Sequence, residues 1–269
     1  MGGRRDGQEE RVGTVINPQE LAEAVSHWLR FEQLCRRRVL FNERYMAHTI
    51  GQYLIGVHAD HVRIEVPHPK LSKKRIDFAI CADDDSELVD VIETKLVSAN
   101  RDFRQEIYDD LVRLELANPY LMGGAAWLLI AGLGVDIKKW VVSDGSDAEA
   151  EVPVPGPLIE GDGFVILSDS NPVEPAPAAF PFQGILAPFS SDDPITVAVQ
   201  ASAGEVRHSW KKAFESCNNE GPASFITHLE GRWLFDDAID DERWNCMVWR
   251  ISSEEPRVTI TSADLAPQV

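Results

Sequence analysis

"RIDFAICADDDSELVDVIETKL", residues 75–96, decides how this chain is read. It divides into two runs rich in Ile, Val, Phe and Leu, RIDFAICA (75–82) and ELVDVIETKLV (87–97), joined by the polar DDDS. Apolar, β-branched runs of this length around a turn-forming cluster predict an antiparallel hairpin. Yet Asp77 stands early in the first run, and Glu93 and Lys95 stand near the end of the second. Buried charges are costly unless paired or bound to a metal, so three of them in such strands need a reason. Alternate residues of a strand share a face, which puts Glu93 and Lys95 together, and the hairpin brings Asp77 to the same end of the sheet. Thr94 is expected to point away, with its carbonyl left in the strand plane.

Carboxylate and carbonyl oxygens suit Mg²⁺ or Mn²⁺. Asp77, Glu93 and the Thr94 carbonyl are therefore the candidate metal ligands. Lys95 is the group to orient or deprotonate an attacking water and to stabilise charge developing at phosphorus.

Upstream, 17–56 reads as helix, with Asn17 as N-cap, Pro18 at the first helical position and a possible break near Arg36–Val39. HVRIEVP (61–67) predicts a strand before the hairpin. Downstream, RDFRQEIYDDLVRLELA (101–117) is amphipathic, with Phe103, Ile107, Leu111 and Leu114 as its apolar stripe, and Asn118–Pro119 ends it. GAAWLLIAG (124–132) has the composition of a central buried strand, and the strand–helix–strand order favours parallel pairing with a right-handed crossover.

These residues resemble the PD-(D/E)XK nuclease superfamily over residues 18–132, roughly half the chain. That family's core is helix, three strands, helix, strand, with an Asp on the second strand and (Asp/Glu)-X-Lys on the third. Asp77 and Glu93-Thr94-Lys95 match, while Ile76 stands where the nominal Pro would be. The resemblance implies a restriction-endonuclease-like αβββαβ fold and Mg²⁺- or Mn²⁺-dependent hydrolysis of phosphodiester bonds, DNA before RNA. It also implies a Glu on the first helix, for which Glu43 is the candidate. Some members carry Gln-X-X-X-Tyr on the next helix; here Gln105 and Tyr108 are one residue closer. Lys73, Lys74 and Arg75, ahead of the Asp77 strand, and Arg104 and Gln105, on that helix, are the candidate nucleic-acid contacts.

Expected organisation is α/β: a lead-in (1–16), a nuclease-like core with a mixed central sheet and flanking helices (17–142), a Pro/Gly-rich connecting region (143–195) with one strand at GFVILSD, and a C-terminal α+β extension (196–269). The extension's strands could complete the first sheet's edge or form a small second unit. A net charge of -18 argues against a general nucleic-acid coat. Its distribution is uneven: residues 1–130 hold 17 Lys+Arg against 21 Asp+Glu, and residues 131–269 hold 9 against 23. The acidic half suits a basic protein partner or a homodimer contact, and basic clusters at Arg36–Arg38 and Lys70–Arg75 leave room for a local anion. No apolar run is long enough to span a bilayer and no secretory leader stands at the start, so a cytoplasmic protein is expected. The four cysteines are far apart, without the spacing of a zinc or disulfide framework.

Several other features carry less. His58, His61 and His68 lack metal-ligand helix spacing, GLG at 132–134 lacks a complete nucleotide fingerprint, and DDAIDDE (236–242) lacks the register of a calcium loop. Trp233, Trp244 and Trp249 read as core. The rival to an enzyme is a catalytically silent module of the same fold that binds nucleic acid or a protein; an acidic DNA mimic is a third reading, disfavoured by the lysine in the set.

Overall fold

The structure, a computed structural model, describes residues 16–37, 42–82, 87–98, 103–137, 185–186, 193–202, 204–233 and 243–265. Helix α1 (Pro18–Leu34) begins where Asn17 Oδ1 accepts hydrogen bonds from the amides of Gln19 and Glu20, with Pro18 at the first position. It ends at Cys35, and Arg36 follows in the left-handed region at φ 59. Asn42 caps the second helix, α2 (Glu43–His58), by accepting from the Tyr45 amide. The expected helix is therefore two, divided where the break was read.

Strands β1 (Val62–Pro67), β2 (Arg75–Cys81) and β3 (Leu88–Val97) form an antiparallel meander, followed by α3 (Arg104–Ala117), β4 (Ala126–Leu133) and a single turn, α4 (Gly134–Ile137). β4 pairs parallel to β3, as a helical crossover permits. All eight of its residues are buried: β3 and β8 (Trp244–Ser253) pair its two edges, and its side chains enter the cores on both faces. Beyond β8 come β7 (Phe225–Trp233) and β5 (Ile195–Val197), giving one seven-stranded mixed sheet in the order β1-β2-β3-β4-β8-β7-β5. The C-terminal strands thus continue the first sheet. Helix α5 (Gly204–Ser216) and a small β6–β9 ribbon (Glu220–Pro222, Thr259–Thr261) complete the elements among the described residues.

Helices cover both faces. α1 and α2 bury Leu21, Val25, Leu29, Met46, Ile50 and Leu54 against Phe78, Ile92, Trp127 and Val248. α3 and α5 bury Ile107, Leu111, Leu114, Trp210 and Phe214 against Val91, Leu128, Ile130 and Trp249. At roughly 25 cal/mol per Å² of apolar area removed from water, these two layers are the main favourable contribution to folding. Two glycines are steric requirements. A Cβ at Gly231, where the β7–β8 register shifts, would lie 2.2 Å from the Pro18 carbonyl oxygen; one at Gly124 would lie 2.1 Å from that of Val89.

Trp244 and Trp249 are core and Trp233 is partly buried, its ring 4.6 Å from that of His27. The four cysteines are free thiols. Among the described residues no helix is long and apolar enough to cross a membrane. The strand expected at GFVILSD, the DDAIDDE cluster, Arg38 and the DDDS turn lie outside the described residues.

Candidate functional site

The paired register of β2 and β3 runs from Phe78↔Ile92 to Cys81↔Leu88 and does not include Asp77. Asp77 Oδ2 instead accepts from both the Thr94 amide and the Thr94 hydroxyl, each at 2.8 Å. The carboxylate thus substitutes for a ladder partner where the two strands part. Thr94 is a correction in one respect: its hydroxyl turns toward Asp77 instead of away from the set.

Glu93 and Lys95 project toward α3. Lys95 Nζ donates to Glu43 Oε1 at 2.8 Å and lies 3.2 Å from Asp110 Oδ2 and 3.7 Å from Glu106 Oε2. Burial on its own would lower the ammonium pKa, but the Asp110 and Glu43 carboxylates outweigh it and hold the pKa above the ordinary lysine value. Lys95 is therefore a cation, suited to orienting a nucleophile or receiving negative charge; general-base work needs its carboxylate neighbours displaced.

Glu93 is 1 % exposed, and neither of its carboxylate oxygens has a hydrogen-bond partner. Arg113 Nη2 lies 3.0 Å from Glu93 Oε2 and also contacts Asp110 Oδ1. Burial, then the nearby Asp110 carboxylate, push the Glu93 pKa well above the usual range. Burial likewise raises Asp110 to about 6, against the pull of Lys95 and Arg113. Two buried acids, a half-buried Asp77 and two cations thus share one cluster between β3 and α3. Glu43 and Glu106 are the most exposed acids of the set.

Sequence reasoning missed Asp110, Arg113 and Glu106. Their signal is present: positions 106, 110 and 113 follow i, i+4, i+7, one face of α3. The candidate nucleic-acid contacts are dispersed. Arg104 is fully buried and so presents nothing to a bound polymer, a correction. The Gln105 side chain donates to the Ser209 carbonyl and to Asp109, which ties α3 to α5 and turns it away from the cluster, a second correction. Arg75 donates to the Glu65 carbonyl, and Lys70 pairs with Glu220 at 2.6 Å. Lys73 is exposed and Lys74 half-buried. Among the described residues no three His, Cys, Asp or Glu side chains stand in metal-ligating geometry. No model of a protein family, no characterised protein and no solved structure matches this chain.

Proposed function

We propose that the chain is a metal-dependent nuclease, hydrolysing phosphodiester bonds in nucleic acid, DNA in the first instance. The observation that carries this reading is Glu93: a carboxylate 1 % exposed, with neither oxygen hydrogen-bonded, among Asp110, Arg113, Asp77 and Lys95, of which Arg113 Nη2 comes within 3.0 Å. A fold retains such a group at a cost unless a ligand completes it. The run α2, β1, β2, β3, α3, β4 has the element order the nuclease resemblance implies.

Oxygen-only donors with orphaned acceptors fit Mg²⁺ or Mn²⁺. Asp77 and Glu93 would hold the ion with the Thr94 carbonyl, and Glu43, bonded to Lys95, sets the direction of its ammonium. A bound ion would supply Lewis-acid polarisation of the scissile phosphate. Lys95 orients the attacking water and offsets charge in the transition state. Lys73, exposed ahead of β2, contacts the polymer backbone, with Lys74 beside it and Arg75 held by the Glu65 carbonyl. Incubation of single- and double-stranded DNA and RNA with Mg²⁺ or Mn²⁺ tests the reading. Cleavage should stop with chelator and return with metal; Ca²⁺ should support binding with little turnover. Cleavage that persists in excess chelator, or no cleavage or binding at low salt with Mn²⁺, overturns it.

A second reading has its own support. Arg113 and Lys95 already place positive charge against Glu93, Asp110 and Glu43. On that account the fold is a silent module that binds nucleic acid, or that binds a basic protein or its own second copy through the acidic C-terminal half. It predicts no metal-dependent cleavage under any condition.

A further inference from the structure

We infer that Glu93 of β3 and Asp110 of α3 form one cation seat, which the Arg113 guanidinium fills when no divalent ion is bound and from which an entering ion displaces it. The inference rests on the metal-dependent reading and adds Asp110 to its ligands. Its basis is how Arg113 is held. One nitrogen, Nη2, serves both carboxylates, at 3.0 Å from Glu93 Oε2 and in contact with Asp110 Oδ1. Its Nε is buried with no hydrogen-bond partner, and so is Glu93 Oε1.

Arginine's planar fork normally binds carboxylates through two parallel hydrogen bonds. The same helix provides that geometry two residues beyond Arg113: Arg257 Nε and Nη2 bond Glu115 Oε1 and Oε2 at 2.7 and 2.9 Å. Arg257 therefore makes the fixed structural pair, whereas Arg113 acts as a point charge that leaves donors and acceptors unmatched. A divalent ion brings twice the charge and prefers oxygen ligands, so it completes what Arg113 leaves unsatisfied. Glu93 and Asp110 are 1 % and 2 % exposed, but the Arg113 side chain is 17 % exposed, so it has a route outward. Without either cation Glu93 would stand buried without a close cation, and Asp110 would keep only Lys95, 3.2 Å from its Oδ2.

The test is Mn²⁺ titration of the full chain by calorimetry, with thermal unfolding in parallel, for wild type, Arg113→Lys and Arg113→Gln. Removing the resident cation should tighten Mn²⁺ binding by about tenfold or more, because the competing occupied state is gone. Arg113→Gln should melt lower than wild type without metal and gain more from Mn²⁺, while Arg113→Lys stays near wild type. Asp110→Asn should weaken binding in either background. If wild type binds Mn²⁺ and Arg113→Gln binds it no tighter, the inference falls and the metal reading stands. If neither binds, both fall. Should Arg113→Gln fail to fold, Asp110→Asn is compared with Asp110→Asn/Arg113→Gln, which removes both partners; the double variant must bind Mn²⁺ more tightly than the single.

Discussion

Strand β3 buries two carboxylates three residues apart, and the protein treats them differently. Asp90 faces the α1–α2 side. Its Oδ1 accepts from the Ala125 amide at 2.7 Å and from Trp127 Nε1 at 3.3 Å, and its Oδ2 accepts from the Ile16 amide at 3.0 Å. It ties the start of α1, the approach to β4 and the central tryptophan to one strand. Glu93 faces α3 with no hydrogen bond to either oxygen and a pKa that burial drives well above the ordinary range. One acid is a completed structural joint; the other is an unfinished site. Burial alone does not separate a fold residue from a functional one, but the state of its acceptors does.

The largest effect expected from this contrast is at Asp90. Asp90→Ala leaves three buried donors without an acceptor and should cost about 3–5 kcal/mol in urea unfolding. A loss of under about 1 kcal/mol would show that water replaces the carboxylate and would remove the structural half of the comparison.

Next is Lys95→Ala, which keeps both motif carboxylates. Cleavage should slow by about a hundredfold or more with DNA affinity little changed, since Lys95 acts mainly on the transition state. An equal fall in affinity, or no cleavage by wild type, favours the silent module.

Smaller still is the stability change in Glu93→Gln, an isosteric swap that discharges the unfinished acid. Metal-free stability should move by no more than about 1 kcal/mol in either direction, because a lost ion pair is offset by a relieved buried charge. Mn²⁺ binding and cleavage should disappear. If Glu93→Gln destabilises as strongly as Asp90→Ala, Glu93 is another structural joint and the contrast is broken.

The hairpin, the parallel crossover to β4 and the split first helix were legible because each rests on local signals: β-branched runs, a buried apolar strand, caps at Asn17 and a break near Arg36. What joins distant segments was not. The apolar runs of β7 and β8 read the same whether they extend a sheet or begin another, and only their pairing with β4 decides. In α3 the periodicity marks Ile107, Leu111 and Leu114 as core, and the same rule assigns charged positions to solvent. Asp110 and Arg104 are buried regardless, because β3 supplies partners for one and the helix start is enclosed for the other. Asp90 lay within the decisive stretch, and its role depends on Ile16 and Ala125, which no spacing rule connects to it.

The smallest effect concerns His68, which tests whether the α3 side is poor in partners generally or only at Glu93. In the loop between β1 and β2, His68 Nε2 meets the Arg113 carbonyl at 2.8 Å, while Nδ1 accepts from the amides of Lys70 and Leu71 at 3.0 and 3.1 Å. Both ring nitrogens are thus used, with the proton on Nε2. Burial lowers the ring pKa below the ordinary histidine value; the Arg113 carbonyl pulls the other way, and the Arg113 and Lys70 charges assist the lowering. With the folded pKa depressed, the unfolded chain takes up the proton first. Stability from this group is therefore complete above about pH 6.5, the unfolded value, and is lost as pH falls from there through the folded pKa. Between pH 7.5 and 5 the unfolding free energy of wild type should fall relative to that of His68→Gln; Asp110 and Glu93, whose raised pKa values act in the opposite direction, are common to both proteins. His58, also lowered by burial, contributes to both proteins and cancels in the difference. Equal slopes would mean that His68 is freely protonated in place. The α3 face would then tolerate unmatched polar groups at more than one point, and the orphaned oxygens of Glu93 would no longer single out a site.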